Sequence, residues 1–212
     1  MSKEILLKSS FKQDASLIEV GLDEAGRGAL AGPVTVAACV MPHDFQHPLI
    51  KDSKLLSGPQ RQQAVELVKR RAIAYHVEHV SISVIEDTNI LKATMHGMKR
   101  CLDEISNQVD RIDFILVDGD QFHGWNGISF ETVVGGDNKY TSIAAASILA
   151  KTSRDGLMKE LSEQVEFSEY SWNSNKGYGT KQHTDMIKEK GATKHHRESF
   201  ISHLLTSTGQ LF

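Results

Sequence analysis

Cysteine is scarce, with two residues in a chain of 212, Cys39 in an apolar run and Cys101 in a helix-like stretch. No CxxC and no Cys/His spacing of the zinc type occurs, which argues against a structural zinc site and a disulfide scaffold; two buried thiols are expected. Only four prolines are present, with no Pro- or Ser-rich tract, no low-complexity segment and no internal repeat. No linker or domain boundary therefore stands out before the last third. The N-terminal stretch MSKEILLKSSFKQD has too short an apolar run for a signal peptide, and no run approaches a membrane span. A cytoplasmic protein is expected. Excess positive charge is missing too: the net charge is −3, so global charge does not announce a nucleic-acid binder. A cluster of metal-binding acids would itself inflate the negative count. Locally the balance differs, because Lys176 to Arg197 carries five lysines, one arginine and three histidines against Asp185 and Glu189, which predicts a basic patch.

What is present is an ordinary globular composition, 40% hydrophobic and 24% charged, enough for one core or one core plus a small appendage. Ile18, Val20 and Leu22 alternate with Glu19 and Gly21, predicting a strand with one buried face. VTVAACVM (34–41) reads as its partner, followed by a polar loop with Lys51-Asp52-Ser53-Lys54 and a helix from Pro59 to about Arg71. A third strand is expected over 74–83, then a helix through Leu91, Met95, Met98 and Leu102 capped by Ser83 or Asp87. FILV (114–117) reads as a buried strand ending in an acid, and 130–134 as a fifth. SIAAASILA opens a buried helix from Thr141 or Ser142 to about Val165, its small residues allowing close packing. Beyond it lie the SWNSNKGYGT loop, a short helix near 183–190 and an amphipathic segment over 199–205. Five strands followed by mostly helix indicate an α/β fold with a mixed sheet.

The chemistry gathers at the end of the first strand. Asp23 and Glu24 are followed by Gly26-Arg27-Gly28 and Gly32-Pro33. Neighbouring strand residues point to opposite faces, so both acids can serve one site only if the chain turns there, which the glycines permit. Alone, the acidic pair would be a solvated turn. The Gly-Arg-Gly behind it adds backbone that can approach a ligand and a guanidinium suited to phosphate. Together they suggest metal-assisted phosphoryl chemistry. Two more acids, Asp118 and Asp137, also sit at strand or loop ends. Asp155 competes for the fourth place, although an ion pair on a helix surface explains it equally. Asp120 reads as solvated.

The block DEAGRG followed by Ala31-Gly32-Pro33-Val34 resembles the signature of type 2 ribonucleases H, specifically the bacterial ribonuclease HII family. The resemblance continues through Asp52-Ser53-Lys54, Asn89-Ile90-Leu91 with Ala93-Thr94, Val117-Asp118-Gly119, Gly136-Asp137, SIAAASILAK (142–151) with Arg154-Asp155, KGYGT (176–180) and His196-Arg197 with Ser199-Phe200. These blocks keep the family's order over nearly the whole chain.

The resemblance implies a ribonuclease H-like catalytic domain over 1–165 with a helical C-terminal extension over 166–212 packed on it as one structural unit. It implies an endoribonuclease that cuts the RNA strand of RNA–DNA hybrids, and 5′ of single ribonucleotides in duplex DNA, leaving 3′-hydroxyl and 5′-phosphate ends. Asp23, Glu24, Asp118 and Asp137 would hold two magnesium or manganese ions, and Asp137 is preferred to Asp155 on the motif match. Gly26, Arg27, Gly28 and Tyr178 would check the 2′-hydroxyl, which both donates and accepts hydrogen bonds. Ser53, Lys54, Asn89, Ser142, Ser147 and Lys151 match strand- and phosphate-contacting positions. The enzyme is expected to act as a monomer in ribonucleotide removal and primer clearance, with a sliding clamp as a further partner suggested by the terminal Gln210-Leu211-Phe212. Two other readings are a ribonuclease HIII-like enzyme needing a run of ribonucleotides, disfavoured by the mere seventeen residues before the first strand, and a binding module that has lost catalysis, disfavoured by four intact acids. The chain departs from the family in the loop DQFHGWNGISF and in Gly97, a helical glycine worth about 1 kcal/mol against alanine. His195 and His196 are expected to be exposed or helix-capping.

Overall fold

The computed structural model describes residues 6–205. Five strands, β1 (Glu19–Ala25), β2 (Val34–Val40), β3 (Ala74–Val80), β4 (Phe114–Asp118) and β5 (Phe130–Val133), form one sheet in the order β3-β2-β1-β4-β5. β1, β2 and β3 pair antiparallel, while β1, β4 and β5 run parallel, so the sheet is mixed as expected. The helices are α1 (Gly58–Arg71), α2 (Ile82–Asp87), α3 (Ile90–Ser106), α4 (Thr141–Ser162), α5 (Trp172–Asn175), α6 (Lys181–Lys190) and α7 (Glu198–Leu205).

β1 does not have the single buried face its alternation suggests. Every residue from Glu19 to Asp23 is buried, because helices cover both faces. Val20 and Leu22 join Val36, Ala38 and Val40 against Met98, Cys101, Leu102 and Ile105 of α3. On the other face Ala37, Cys39 and Met41 pack with Ala144–Ala146 and Ile148 of α4 and with Ala64, Val65 and Val68 of α1. The alternation thus records which helix each residue meets. Glu19 survives burial because its carboxylate accepts the Phe11 and Lys12 N–H groups at 2.8 and 2.7 Å. Glycines set the closeness of the layers. A Cβ on Gly21 would lie 2.3 Å from the Ser142 carbonyl carbon, and one on Gly97 would lie 2.7 and 2.8 Å from Val80 and Val36 methyls. Gly97 is therefore more than a helix-propensity cost: alanine there would have to displace the Val36 and Val80 side chains or α3 itself.

Several boundaries move. β3 stops at Val80 because Ser81 caps α2, accepting from the Val84 N–H, and Asn89, not Ser83 or Asp87, caps α3 by accepting from the Lys92 N–H. α4 ends at Ser162, and a 3-10 turn over Val165–Tyr170 follows. The C-terminal elements build their own cluster, in which Trp172, Phe167, Tyr170, Ile187 and Ile201 pack on Ala31 and on Met158 of α4. Both cysteines are buried free thiols, and burial pushes that of Cys101 up to about 12. Among the described residues no helix is long and apolar enough to cross a membrane.

Candidate active site

Parallel pairing puts the carboxyl ends of β1 and β4 side by side, with Leu22 opposite Val117 in register, so Asp23 and Asp118 follow one another at the same sheet edge. Asp23 faces α4 and is bonded by the Ser147 hydroxyl, which contacts Ser53 Oγ at 3.1 Å, while its Oδ1 accepts the Glu24 N–H at 2.7 Å. The chain turns only after Ala25, at Gly26 with φ +92°. Both acids therefore belong to the strand itself, and they share one cavity because the strand ends there. Asp118 accepts the Gly136 N–H at 2.7 Å, which ties β4 to the short turn carrying Asp137.

One cavity of about 510 Å³ is lined by Asp23, Glu24, Gly26, Arg27, Gly28, Ser53, Lys54, Asp118, Ser147, Lys151 and Tyr178. Asp137 adjoins it, buried, with its Oδ2 4.0 Å from Lys54 Nζ. The structure does not bring Asn89 or Ser142 to this lining. Asn89 is exposed and spends its side chain as a cap. Ser142 is buried five positions before Ser147, beside Gly21, and borders a separate small cavity. Asp155 takes its structural option, paired with Lys151 at 2.8 Å and Arg61 at 3.6 Å. Asp120 is exposed, as expected.

The electrostatics are those of acids forced together. Desolvation raises Asp23 well above the usual carboxylate range, and the Glu24 and Asp118 charges raise it further. Burial also raises Glu24, against the pull of Arg27 at 3.2 Å, and raises Asp137, helped by Asp118. Lys54 stands among them. Its partial burial works against its charge but is outweighed by Asp52, Asp137, Asp23 and Asp118, which hold it above its ordinary value. Four carboxylates, with only Lys54 and Arg27 paired against them, make an all-oxygen donor set that suits a hard divalent cation. As the side chains stand, no three Asp, Glu, His or Cys residues among those described close around a single point.

Opposite the acids, two loops are pinned together. Leu30 and Ala31 N–H donate to the Gly177 carbonyl at 2.8 and 3.2 Å. Arg154, fully buried, donates to the carbonyls of Pro33, Ala31 and Lys176 at 3.0, 3.0 and 2.8 Å. Arg197, also fully buried, donates to those of Gly32 and Arg27 at 2.9 and 2.8 Å. The Tyr178 ring lies over Arg154, 5.3 Å away, and Lys151, 5.6 Å away. Below it the Tyr178 carbonyl can only accept, so His183 carries its proton on Nδ1, 2.9 Å away. His183 Nε2 then accepts from Trp172 Nε1 at 3.0 Å and from His196 Nε2 at 3.1 Å, and His196 Nδ1 accepts the Thr193 N–H.

His196 is thus buried and wired rather than exposed, with burial first and His183 second in driving it down to about 3. His195 is half-buried against Phe167 and Trp172. Of the basic residues counted over 176–197, Arg197 and the histidines turn inward, and Lys181, Lys190 and Lys194 pair with Asp185, Glu169 and Glu166, while Lys176 stays close enough to Lys151, Lys159 and Arg61 to feel their charge. Sequence reasoning assigned no role to Arg154, Arg197 or His183. A cation beside a run as apolar as SIAAASILA was the available signal.

A mixed sheet whose central strands deliver carboxylates to one end, beneath a glycine-arginine-glycine turn, defines a nuclease of the ribonuclease H type. Known proteins agree with that reading. The family model described as Ribonuclease HII matches residues 20–203. The chain is 47% identical over 195 residues to Ribonuclease HII of Bacteroides thetaiotaomicron, covering 92% of this chain and 94% of that one, and 48% identical over 184 residues to that of Phocaeicola vulgatus, covering 87% and 89%. Among solved structures, the ribonuclease H2 of Pyrococcus horikoshii superposes with a TM-score of 0.74 at 20% identity, covering 92% of this chain and all of that one. The ribonuclease HII of Archaeoglobus fulgidus, solved as a PCNA complex, gives 0.66 at 25% identity, covering 85% and 94%. The chain belongs to the ribonuclease HII family and is a type 2 ribonuclease H, an endoribonuclease.

Proposed function

We propose that this enzyme cuts the RNA strand of RNA–DNA hybrids, and the 5′ side of a lone ribonucleotide in duplex DNA, leaving 3′-hydroxyl and 5′-phosphate ends. The observation that carries this reading is the meeting of strand-end acids with the Gly26-Arg27-Gly28 turn and Tyr178 in one cavity. Asp23, Glu24, Asp118 and Asp137 would hold two magnesium or manganese ions, whose chemistry is Lewis-acid stabilisation of charge developing on the phosphodiester. A Bst ribonuclease HIII of similar fold, with a TM-score of 0.66 at 18% identity, was solved with Mn2+.

The protein's own groups do the positioning. The Arg27 guanidinium is 44% exposed at the cavity mouth, free to swing from Glu24 onto a phosphate. Gly28 presents an N–H that finds no acceptor among the described residues, and with the neighbouring carbonyls it can satisfy a 2′-hydroxyl as both donor and acceptor. The Tyr178 ring closes the opposite side against the ribose. Lys54, Lys151, Ser53 and Ser147 bracket the acids and orient the backbone of the cut strand. The enzyme would act as a monomer in the cytoplasm. A sliding clamp is proposed as a partner through Gln210-Leu211-Phe212, which lie outside the described residues; a clamp pull-down with and without those three residues tests it.

The main test uses three duplexes, one with a single ribonucleotide, one a continuous hybrid and one all DNA, with and without magnesium or manganese. Cleavage of the first two only, and only with metal, is expected. Cutting of the continuous hybrid alone would favour a ribonucleotide-run requirement, and binding without cutting would favour a module.

A further inference from the structure

Arg154 and Arg197 have no part in the chemistry just described, yet each is wholly buried and neither forms an ion pair among the described residues. Their acceptors are main-chain carbonyls more than twenty residues away along the chain, and for the Gly-Arg-Gly segment more than a hundred and twenty. Burying a guanidinium with no carboxylate in bonding distance is costly, and Arg197 Nη2 is left with no hydrogen-bond partner. Burial first, and then the Arg154 charge, pushes Arg197 down to about 9. A carbonyl-only acceptor set is a poor way to gain stability and a good way to fix loops, since the planar fork reaches several acceptors at set angles.

We propose that Arg154 and Arg197 are positioning residues for ribonucleotide discrimination, holding the Gly26-Arg27-Gly28 turn and the Tyr178 loop at one spacing. This rests on reading the cavity as a 2′-hydroxyl sensor. Arg154 bonds both segments at once, Ala31 and Pro33 on one side and Lys176 on the other. It also forms the floor beneath Gly26, where an added Cβ would lie 1.9 Å from its Nε. Arg197 takes the Arg27 carbonyl, which shares a peptide unit with the Gly28 N–H. A charged donor on that carbonyl both orients the peptide and strengthens the N–H at its other end. Spacing is the whole basis of such a check, because a ribose and a deoxyribose differ by a single hydroxyl.

The test compares wild type with Arg154→Lys and Arg197→Lys, which keep the charge and lose the fork. Affinities for the single-ribonucleotide duplex and for the same duplex in all-DNA form are measured with calcium in place of magnesium, alongside melting temperatures. The ratio of the two affinities should fall by about tenfold or more in each variant, the scale of one lost charge-assisted bond. All-DNA binding should stay within about twofold. A lower melting temperature with an unchanged ratio would mean the arginines serve only the fold, and the proposal would be wrong.

Hydrogen exchange tests the same idea on the wild type, without a variant. The hydrogen-bonded amides of residues 29–32 and 177–178 should exchange as slowly as α4, and exchange of these at open-loop rates would overturn the idea. Tyr178→Ala separates the sensor from the arginines that hold it. If it leaves the wild-type ratio intact, the sensor reading fails and takes this proposal with it. If it erases the ratio while both lysine variants keep theirs, only the proposal fails.

Discussion

The two walls of the cavity bury opposite charge in opposite ways. On the sheet side, Asp23 and Asp137 are buried beside Glu24 and Asp118 with Lys54 and the exposed Arg27 as the nearby cations, and burial with mutual repulsion raises the first three. On the loop side, Arg154 and Arg197 are more deeply buried, yet five backbone carbonyls receive them. The acids are left electrostatically incomplete, which is what the proposed cation site requires. The arginines are largely satisfied by carbonyls, which is what the proposed positioning role requires. On that reading, function would sit where charge is unsatisfied and its precision would come from where charge is satisfied.

The sharpest way to break this contrast is Asp23→Asn. Losing a ligand to the proposed ions should cut kcat by about 10³-fold or more, roughly 4 kcal/mol of barrier. Stability should move the other way. A carboxyl whose folded pKa is raised destabilises the fold once pH passes its unfolded value, so the neutral amide should melt higher than wild type at pH 7. Magnesium should raise the wild-type Tm through binding to the folded state and do little for the variant. Calorimetry at two magnesium concentrations checks both signs, and a lower Tm for the variant without metal would mean the acids are not strained.

On the loop wall the same logic predicts loss of stability. Gly26→Ala must place a Cβ inside the Arg154 side chain at a residue with φ +92°. Overpacking of about 1–3 kcal/mol and a left-handed penalty of about 1–2 kcal/mol add at this position. Urea unfolding should therefore lose about 2–5 kcal/mol, whereas Gly28→Ala, whose Cβ meets nothing within 4 Å, should lose little.

The same contrast explains what could be read in advance. The acids were legible because chemistry and topology coincide at strand ends: Asp23-Glu24 before glycine, Val117-Asp118-Gly119, and Gly136-Asp137 each mark a strand or turn terminus in one dimension. Sheet class and most elements were legible from periodicity. The arginine wall was not, because main-chain carbonyls leave no trace in side-chain identity and lie so far off in sequence. His183 and His196 were opaque for a related reason, since their partners are each other, Trp172 and the Tyr178 carbonyl. The basic count over 176–197 overstated the free charge, because Arg197 and the histidines point inward and three of the five lysines are paired.

The histidines offer a pH test confined to the loop wall. Both are buried neutral, so their folded pKa values lie below the unfolded value near 6.5. Between that value and about 3 the unfolded chain takes up a proton that folded His196 refuses. Stability is then complete above pH 6.5 and falls on acidification, by up to about 1.4 kcal/mol per pH unit for each histidine. Exchanging His196 for asparagine should flatten part of that slope in denaturation series at pH 4.5 to 7. An unchanged slope would show that the histidine cluster opens to water more readily than its hydrogen bonds imply.

The smallest effect sharpens the comparison most cheaply. Lys181 pairs with Asp185 one helical turn away, in the same C-terminal region as Arg197, but its side chain is 88% exposed. Solvent screens such a pair, and holding both chains in place offsets most of the attraction. Lys181→Ala should change unfolding free energy by less than about 0.5 kcal/mol. It should also leave the ribonucleotide preference untouched, in contrast to Arg197→Lys sixteen positions on. Equal effects from the two would mean that burial is not what distinguishes these cations, and that the region acts through net charge after all.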